Sequence, residues 1–117
     1  MHFIIRYARR FRFALAGIFY ALRHDFSFRW QVVLIGLALI GVGYLAQPLS
    51  QFELFALILA YGLVLITELQ NSALEEALDH LHPELHDRIG RTKDMAAGSV
   101  LLAGFIAIAI VALVFLV

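Results

Sequence analysis

The sequence has no cysteine, little charge and almost no proline. The absence of cysteine excludes disulfides, thiolate metal sites and a cysteine nucleophile. Charged residues make up 15% of the chain and the formal net charge is zero, which gives no sign of a nucleic-acid partner, and we expect none. The only two prolines, Pro48 and Pro83, stand in polar segments, where each predicts an interruption of helical structure. The amino terminus has no continuous apolar stretch with a small-residue cleavage site, so we expect no cleaved signal peptide.

Apolar residues, in contrast, are abundant. They make up 62% of the 117 residues, and the mean hydropathy is +0.87. A soluble domain of this size is not so apolar. Because a spanning helix needs about 20 residues, the chain has room for three spans and one further element. The composition therefore predicts an all-α membrane protein with a single domain over residues 1–117.

The order of apolar and polar residues predicts where these elements lie. An amphipathic interfacial helix is expected first, followed by a break at Asp25 and Ser27. The second apolar run continues without a breaker into a polar stretch, which predicts one long helix from Gln51 to Leu81. A last helix is expected to begin around Thr92. The predicted amphipathic helix covers residues 3–24, and the predicted membrane spans cover residues 31–46, 52–69 and 95–117.

Small residues predict where helices pack closely, and basic residues predict how the chain is oriented in the membrane. Gly36, Gly41 and Gly43 lie in the first span, where small residues allow helices to approach closely. All lysines and arginines stand before the first span or in the connection before the third. Because basic loops stay on the cytoplasmic side, both regions should be cytoplasmic and the carboxyl terminus should face outward.

The most unusual stretch is ELQNSALEEALD, from Glu68 to Asp79, because it places acids on a helix that arrives from an apolar run. Glu68, Asn71, Glu75 and Asp79 share one narrow helical face, and Glu76 lies off it. Each charged side chain near the bilayer centre costs about 2.5–3.5 kcal/mol even on the gentler scales. The stretch is therefore predicted to be a functional site.

Carboxylates and an amide at a membrane boundary indicate either a divalent cation or a proton path. Magnesium uses one or two carboxylates together with phosphate oxygens and water, and Glu75 suits that role. Lys93 and Asp94 are expected to open the last helix, whose amino-terminal end favours phosphate. Glu68, deeper in the apolar region, could act as a general base in phosphoryl transfer to a lipid hydroxyl. The residues alone are equally compatible with a lipid-modifying site and an ion-coupled site.

The motifs ELQNSALE (Glu68 to Glu75) and RTKDMAAGSV (Arg91 to Val100), with Asp79, Glu84 and His86 between them, resemble the small integral-membrane prokaryotic diacylglycerol kinases, a family that also includes undecaprenol kinases. RFRFALAGIFYALRHDFSFR, from Arg10 to Arg29, is a weaker match. No phosphate-loop or soluble-kinase motif occurs in the chain.

The resemblance implies a homotrimer in the bacterial inner membrane that uses ATP and Mg²⁺, with a cytoplasmic active site. Glu68 would be the general base and Asn71 a further catalytic residue, with Ser72 and Asp79 shaping the site. Glu75 and Asp25, the latter standing where the family usually has glutamate, would bind the metal. The implied nucleotide-binding residues are Arg6, Glu84, His86, Lys93 and Asp94.

The expected reaction is transfer of the γ-phosphate of ATP to the primary hydroxyl of diacylglycerol, which gives phosphatidic acid. An alternative acceptor is undecaprenol, which would give undecaprenyl phosphate. An alternative of another class is a non-enzymatic ion- or proton-coupled membrane module, since such proteins also place acids in apolar helices.

Overall fold

The structure, a computed structural model, describes residues 1–84 and 86–116. These residues form four α-helices and no β-strand, which confirms the predicted fold class. The helices are α1 (His2–His24), α2 (Phe26–Leu45), α3 (Gln51–Leu81) and α4 (Asp87–Leu116). The long helix predicted from Gln51 to Leu81 is confirmed at both ends.

Local capping explains where α2 and α3 begin. The carboxylate of Asp25 accepts a hydrogen bond of 3.1 Å from the backbone N–H of Phe28, so that α2 starts at Phe26. The break is confined to Asp25, and the expectation that it includes Ser27 is wrong, because Ser27 lies in the first turn of α2. Ser50 caps α3 by accepting a bond of 3.1 Å from the N–H of Glu53. Its hydroxyl also donates to the Glu53 carboxylate at 3.2 Å. Each cap satisfies a backbone donor that would have no partner within its helix.

The start of α4 differs from the prediction, because the helix begins at Asp87 and not around Thr92. The Nδ1 atom of His86 accepts a bond of 3.1 Å from the backbone N–H of Arg88, and Asp87 places an acid in the first turn. Both features stabilise a helix amino terminus. Lys93 and Asp94 therefore lie inside the helix, and their predicted place at its opening is wrong. The predicted third span ends at Val117, which lies outside the described residues.

Three of the helices, α2, α3 and α4, are long and apolar enough to cross a membrane, and the protein is a membrane protein. α3 is the central helix: it packs most extensively against α4 and also against α2, while α1 packs against the start of α2. The buried residues of α3 form one stripe. In chain order they are Leu57, Ala60, Val64 and Glu68. A carboxylate thus continues the apolar stripe that holds the helices together.

Candidate active site

A cleft of about 1500 Å³ lies where the end of α1 and the start of α2 meet the last third of α3. Two residues of α4, Ala97 and Val100, complete its lining. Five described acidic residues line the cleft, which concentrates negative charge beside an apolar bundle: Asp25, Glu68, Glu75, Glu76 and Asp79. Asn71 and Ser72 line it as well. The structure therefore brings together six of the predicted site residues.

Glu68 is the most enclosed of these acids, with 5% of its surface exposed. Its Oε1 accepts a hydrogen bond of 2.8 Å from the hydroxyl of Ser27 on α2. Ser27 in turn lies 3.4 Å from the amide nitrogen of Gln31, which donates to it. A buried carboxylate needs such partners, because burying it without them is costly. No functional role for Ser27 was predicted from the sequence.

Asn71 and Glu75 lie one helical turn apart on the cleft wall. The side-chain amide of Asn71 donates to Glu75 Oε1 at 3.4 Å, which agrees with the predicted shared face. The side-chain oxygen of Asn71, Oδ1, is buried and has no hydrogen-bond partner among residues 1–84 and 86–116. Because such an oxygen is costly to leave unpaired, it is suited to bind a donor or a cation.

Glu76 also lines the cleft, although the helical projection placed it off the acidic face. Its carboxylate lies 3.5 Å from the hydroxyl of Tyr20 on α1, which donates to it. The ring of Tyr20 stacks on His24, with centroids 4.4 Å apart. This contact was not predicted from the sequence, because it depends on the end of α1 lying beside α3. The only sequence signal for it was that Glu76 directly follows Glu75.

Asp25 lies at the start of α2 and lines the same cleft as Glu75. One of its oxygens, Oδ1, accepts the capping bond from Phe28. The side chain therefore has a structural task in addition to the metal-binding role that the resemblance implies.

The oxygen donors of the cleft suit magnesium, which takes few protein ligands. Asp25, Glu75 and the unpaired oxygen of Asn71 all lie at this cleft. Within the part of the chain that the structure describes, no three histidine or acidic side chains form a complete metal-binding group. A magnesium ion that completes its shell with phosphate oxygens and water does not need one.

The predicted nucleotide-binding residues do not line the cleft within one chain. Arg6 is exposed on α1, and Glu84 and His86 are exposed between α3 and α4. Asp94 is exposed on α4, whereas Lys93 reaches the cleft wall indirectly, because its ammonium group pairs with the carboxylate of Asp79. Among the predicted nucleotide-binding residues, Lys93 is thus linked to the cleft wall by its ion pair with Asp79.

The fold and the cleft define a class: a helical membrane protein whose central helix places a buried glutamate in an acidic cleft. Residues 12–115 match the family described as prokaryotic diacylglycerol kinase, and the chain belongs to that family. The predicted resemblance is confirmed.

Individual relatives carry the same name. The chain is 31% identical to the diacylglycerol kinase of Haemophilus influenzae over 103 residues. This matched region covers 88% of this chain and 82% of that protein. The chain is 36% identical over 91 residues to the diacylglycerol kinase of Pseudomonas aeruginosa, with 78% and 72% covered. It is also 37% identical over 99 residues to the diacylglycerol kinase of Synechocystis sp., with 84% and 55% covered.

Proposed function

We propose that this protein is an ATP-dependent diacylglycerol kinase, which transfers the γ-phosphate of ATP to the primary hydroxyl of diacylglycerol and forms phosphatidic acid. Its family and its similarity to proteins named diacylglycerol kinase support this function. The observation that carries the proposal is the position of Glu68, a buried carboxylate at the end of the apolar stripe of α3 and in the wall of the cleft. A lipid hydroxyl entering from the bilayer would meet this group.

Glu68 acts as the general base in this reaction. Its carboxylate takes the proton of the lipid hydroxyl as the hydroxyl oxygen forms a bond to the γ-phosphorus, and the bond from phosphorus to ADP breaks. Positioning of the base is worth about 10²–10⁴-fold in rate in such reactions. The low exposure of Glu68 limits the access of water, which would otherwise compete as the acceptor.

Asp25 and Glu75 would hold Mg²⁺, and Asn71 would complete the protein's share of the oxygen donors. The bound ion would neutralise charge on the transferred phosphate. Ser72 and Asp79 shape the cleft wall near these residues. Asp79 also fixes the position of Lys93 through their ion pair, which places a cation at the edge of the cleft.

The nucleotide extends from the cleft toward the connection between α3 and α4. Lys93 binds its phosphates, and the other contacts come from Arg6, Glu84, His86 and Asp94. Arg6 lies outside the cleft lining of its own chain, and we assign its contact to a second subunit. A homotrimer supplies this second subunit.

The membrane orientation follows from the basic residues. The arginines and the lysine stand on α1, on the first turn of α2 (Arg29) and on the segment that begins α4, and all three lie on the cytoplasmic side of the bacterial inner membrane. The cleft opens to the same side, where ATP is present, and the carboxyl terminus faces outward.

The test is phosphorylation of two acceptors by the purified full-length chain in mixed micelles, with labelled ATP and magnesium. We expect labelled phosphatidic acid from diacylglycerol, at a higher kcat/KM than labelled undecaprenyl phosphate from undecaprenol. Preference for undecaprenol would assign the chain to the alternative acceptor. Inactivity with both lipids would contradict kinase function and favour the ion- or proton-coupled module.

A further inference from the structure

We propose that Ser27 is a positioning residue for the general base, holding the carboxylate of Glu68 in its reactive orientation through the hydrogen bond between α2 and α3. This inference rests on the proposed function and assigns a role to a residue outside the set predicted from the sequence. Its basis is the bond of 2.8 Å from the Ser27 hydroxyl to Glu68 Oε1.

The Ser27 hydroxyl is itself held in place. It lies in the first turn of α2, which Asp25 caps through the N–H of Phe28. The side chain of Phe28 is buried, with 4% of its surface exposed, and anchors the same turn. Gln31, one turn later, donates to the Ser27 oxygen at 3.4 Å, so the hydroxyl proton remains available for Glu68. A reactive carboxylate is best supported by groups whose own positions are fixed.

The bond also separates the tasks of the two carboxylate oxygens. Oε1 accepts from Ser27, which leaves Oε2 to take the proton of the lipid hydroxyl. A glutamate side chain has three rotatable bonds, and holding one oxygen removes rotations that would turn the other away from the substrate. Ser27 therefore acts through Glu68 and need not contact either substrate.

The kinetic test compares Ser27→Ala with Ser27→Thr, which keeps the hydroxyl. We expect Ser27→Ala to lower kcat about tenfold while the KM values for ATP and lipid change less than about twofold, because only orientation in the transition state is lost. Ser27→Thr should recover most of the rate. Ser99→Ala is the matched control, since Ser99 donates within α4 to the carbonyl of Ala96 and does not line the cleft.

An infrared measurement reports the hydrogen bond without relying on activity. The carboxyl stretching band of Glu68, identified by its loss in Glu68→Gln, should shift in Ser27→Ala and remain in place in Ser27→Thr and Ser99→Ala. An unchanged band or an unchanged kcat in Ser27→Ala would overturn the inference. Equal loss of kcat in Ser27→Ala and Ser27→Thr would also overturn it, because a role in packing alone predicts no rescue.

The outcomes also separate this inference from the proposed function. If the parent chain phosphorylates diacylglycerol and Ser27→Ala has the same kcat as the parent, only the role of Ser27 is overturned. A parent chain that phosphorylates no lipid overturns the proposed function and the positioning role of Ser27 together, while the infrared band still reports whether the contact exists.

Discussion

The hydroxyl of Tyr61 on α3 donates a hydrogen bond of 2.6 Å to the backbone carbonyl of Val32 on α2. Gly36, one turn further along α2, leaves room for this approach, because a Cβ atom there would lie 3.0 Å from the Tyr61 hydroxyl oxygen. The expectation that small residues of the first span allow close helix contact is confirmed at Gly36 and is wrong for Gly41, where a Cβ atom meets nothing within 4 Å. The bond ties α2 to α3 near the turn that carries Ser27.

The first prediction concerns this contact. Tyr61→Phe should lower the free energy of unfolding by about 0.5–1.5 kcal/mol, the net value of one hydrogen bond. Gly36→Ala should cost about 1–3 kcal/mol through overpacking. It should cost less in the Tyr61→Phe background, because the closest atom is then absent and the next lies at 3.4 Å. Unfolding in mixed detergent micelles measures each variant.

Gly41→Ala is the control for that series, since a Cβ atom there meets nothing within 4 Å. We expect no loss of stability from it, because alanine favours helix more than glycine does. Strictly additive effects of Gly36→Ala and Tyr61→Phe would show that the two groups do not press on each other.

The second prediction concerns Glu68 as the base. Glu68→Gln should lower kcat for lipid phosphorylation by about 10²–10⁴-fold, with ATP affinity unchanged, since the amide cannot take the proton. Glu53→Gln makes the same change on the same helix and should stay active, because glutamine also serves in a capping box. Equal activity of Glu68→Gln and the parent in the labelled-ATP assay would show that another group is the base.

The third prediction separates the two tasks of Asp25. Asp25→Asn keeps the helix cap, so stability should change by less than about 0.5 kcal/mol. The magnesium concentration for half-maximal activity should rise about tenfold or more, since a ligand charge is lost. Asp25→Ala should lose both properties, with about 1 kcal/mol of stability. Magnesium titration of activity and micelle unfolding measure the two effects.

Asp87→Asn is the charge control for Asp25, because Asp87 lies in the first turn of α4 and does not line the cleft. Its magnesium requirement should match that of the parent. An unaltered magnesium requirement in Asp25→Asn would restrict Asp25 to capping.

The fourth prediction concerns Lys93. The Lys93–Asp79 pair is 34% and 64% exposed at its two side chains, so breaking it should change stability by less than about 1 kcal/mol. Lys93→Ala should nevertheless raise KM for ATP about tenfold, because a hydrogen bond to a charged phosphate is stronger than an exposed ion pair. Arg91→Ala removes a neighbouring positive charge and should have a smaller effect. Equal shifts in the two variants would indicate general electrostatic attraction instead of a specific contact.

The sequence predicted the helices well because their signals are local. The apolar runs, the acid at Asp25 and the proline at Pro83 act within a few residues of their own position. The start of α4 was predicted too late because the polar residues after His86 resemble a loop in composition. The hydrogen bond that His86 accepts from the N–H of Arg88 stabilises this first turn, and composition does not reveal it.

Part of the candidate site was predicted correctly, because helical spacing is also a local signal. The face shared by Glu68, Asn71 and Glu75 follows from helical periodicity, and the structure confirms that they line one cleft. The roles of these residues stay predictions, as do the nucleotide contacts, which one chain does not bring into the cleft.

The sequence by itself determined the helical membrane class, the family and the acidic face, because apolar run length, capping residues and helical spacing are properties of neighbouring residues. Only the tertiary structure decided that Ser27 meets Glu68, that Tyr20 meets Glu76 and that Lys93 meets Asp79. Each pair joins two helices, and its formation depends on how those helices rotate and cross as their apolar faces pack. No spacing along the chain encodes that arrangement directly.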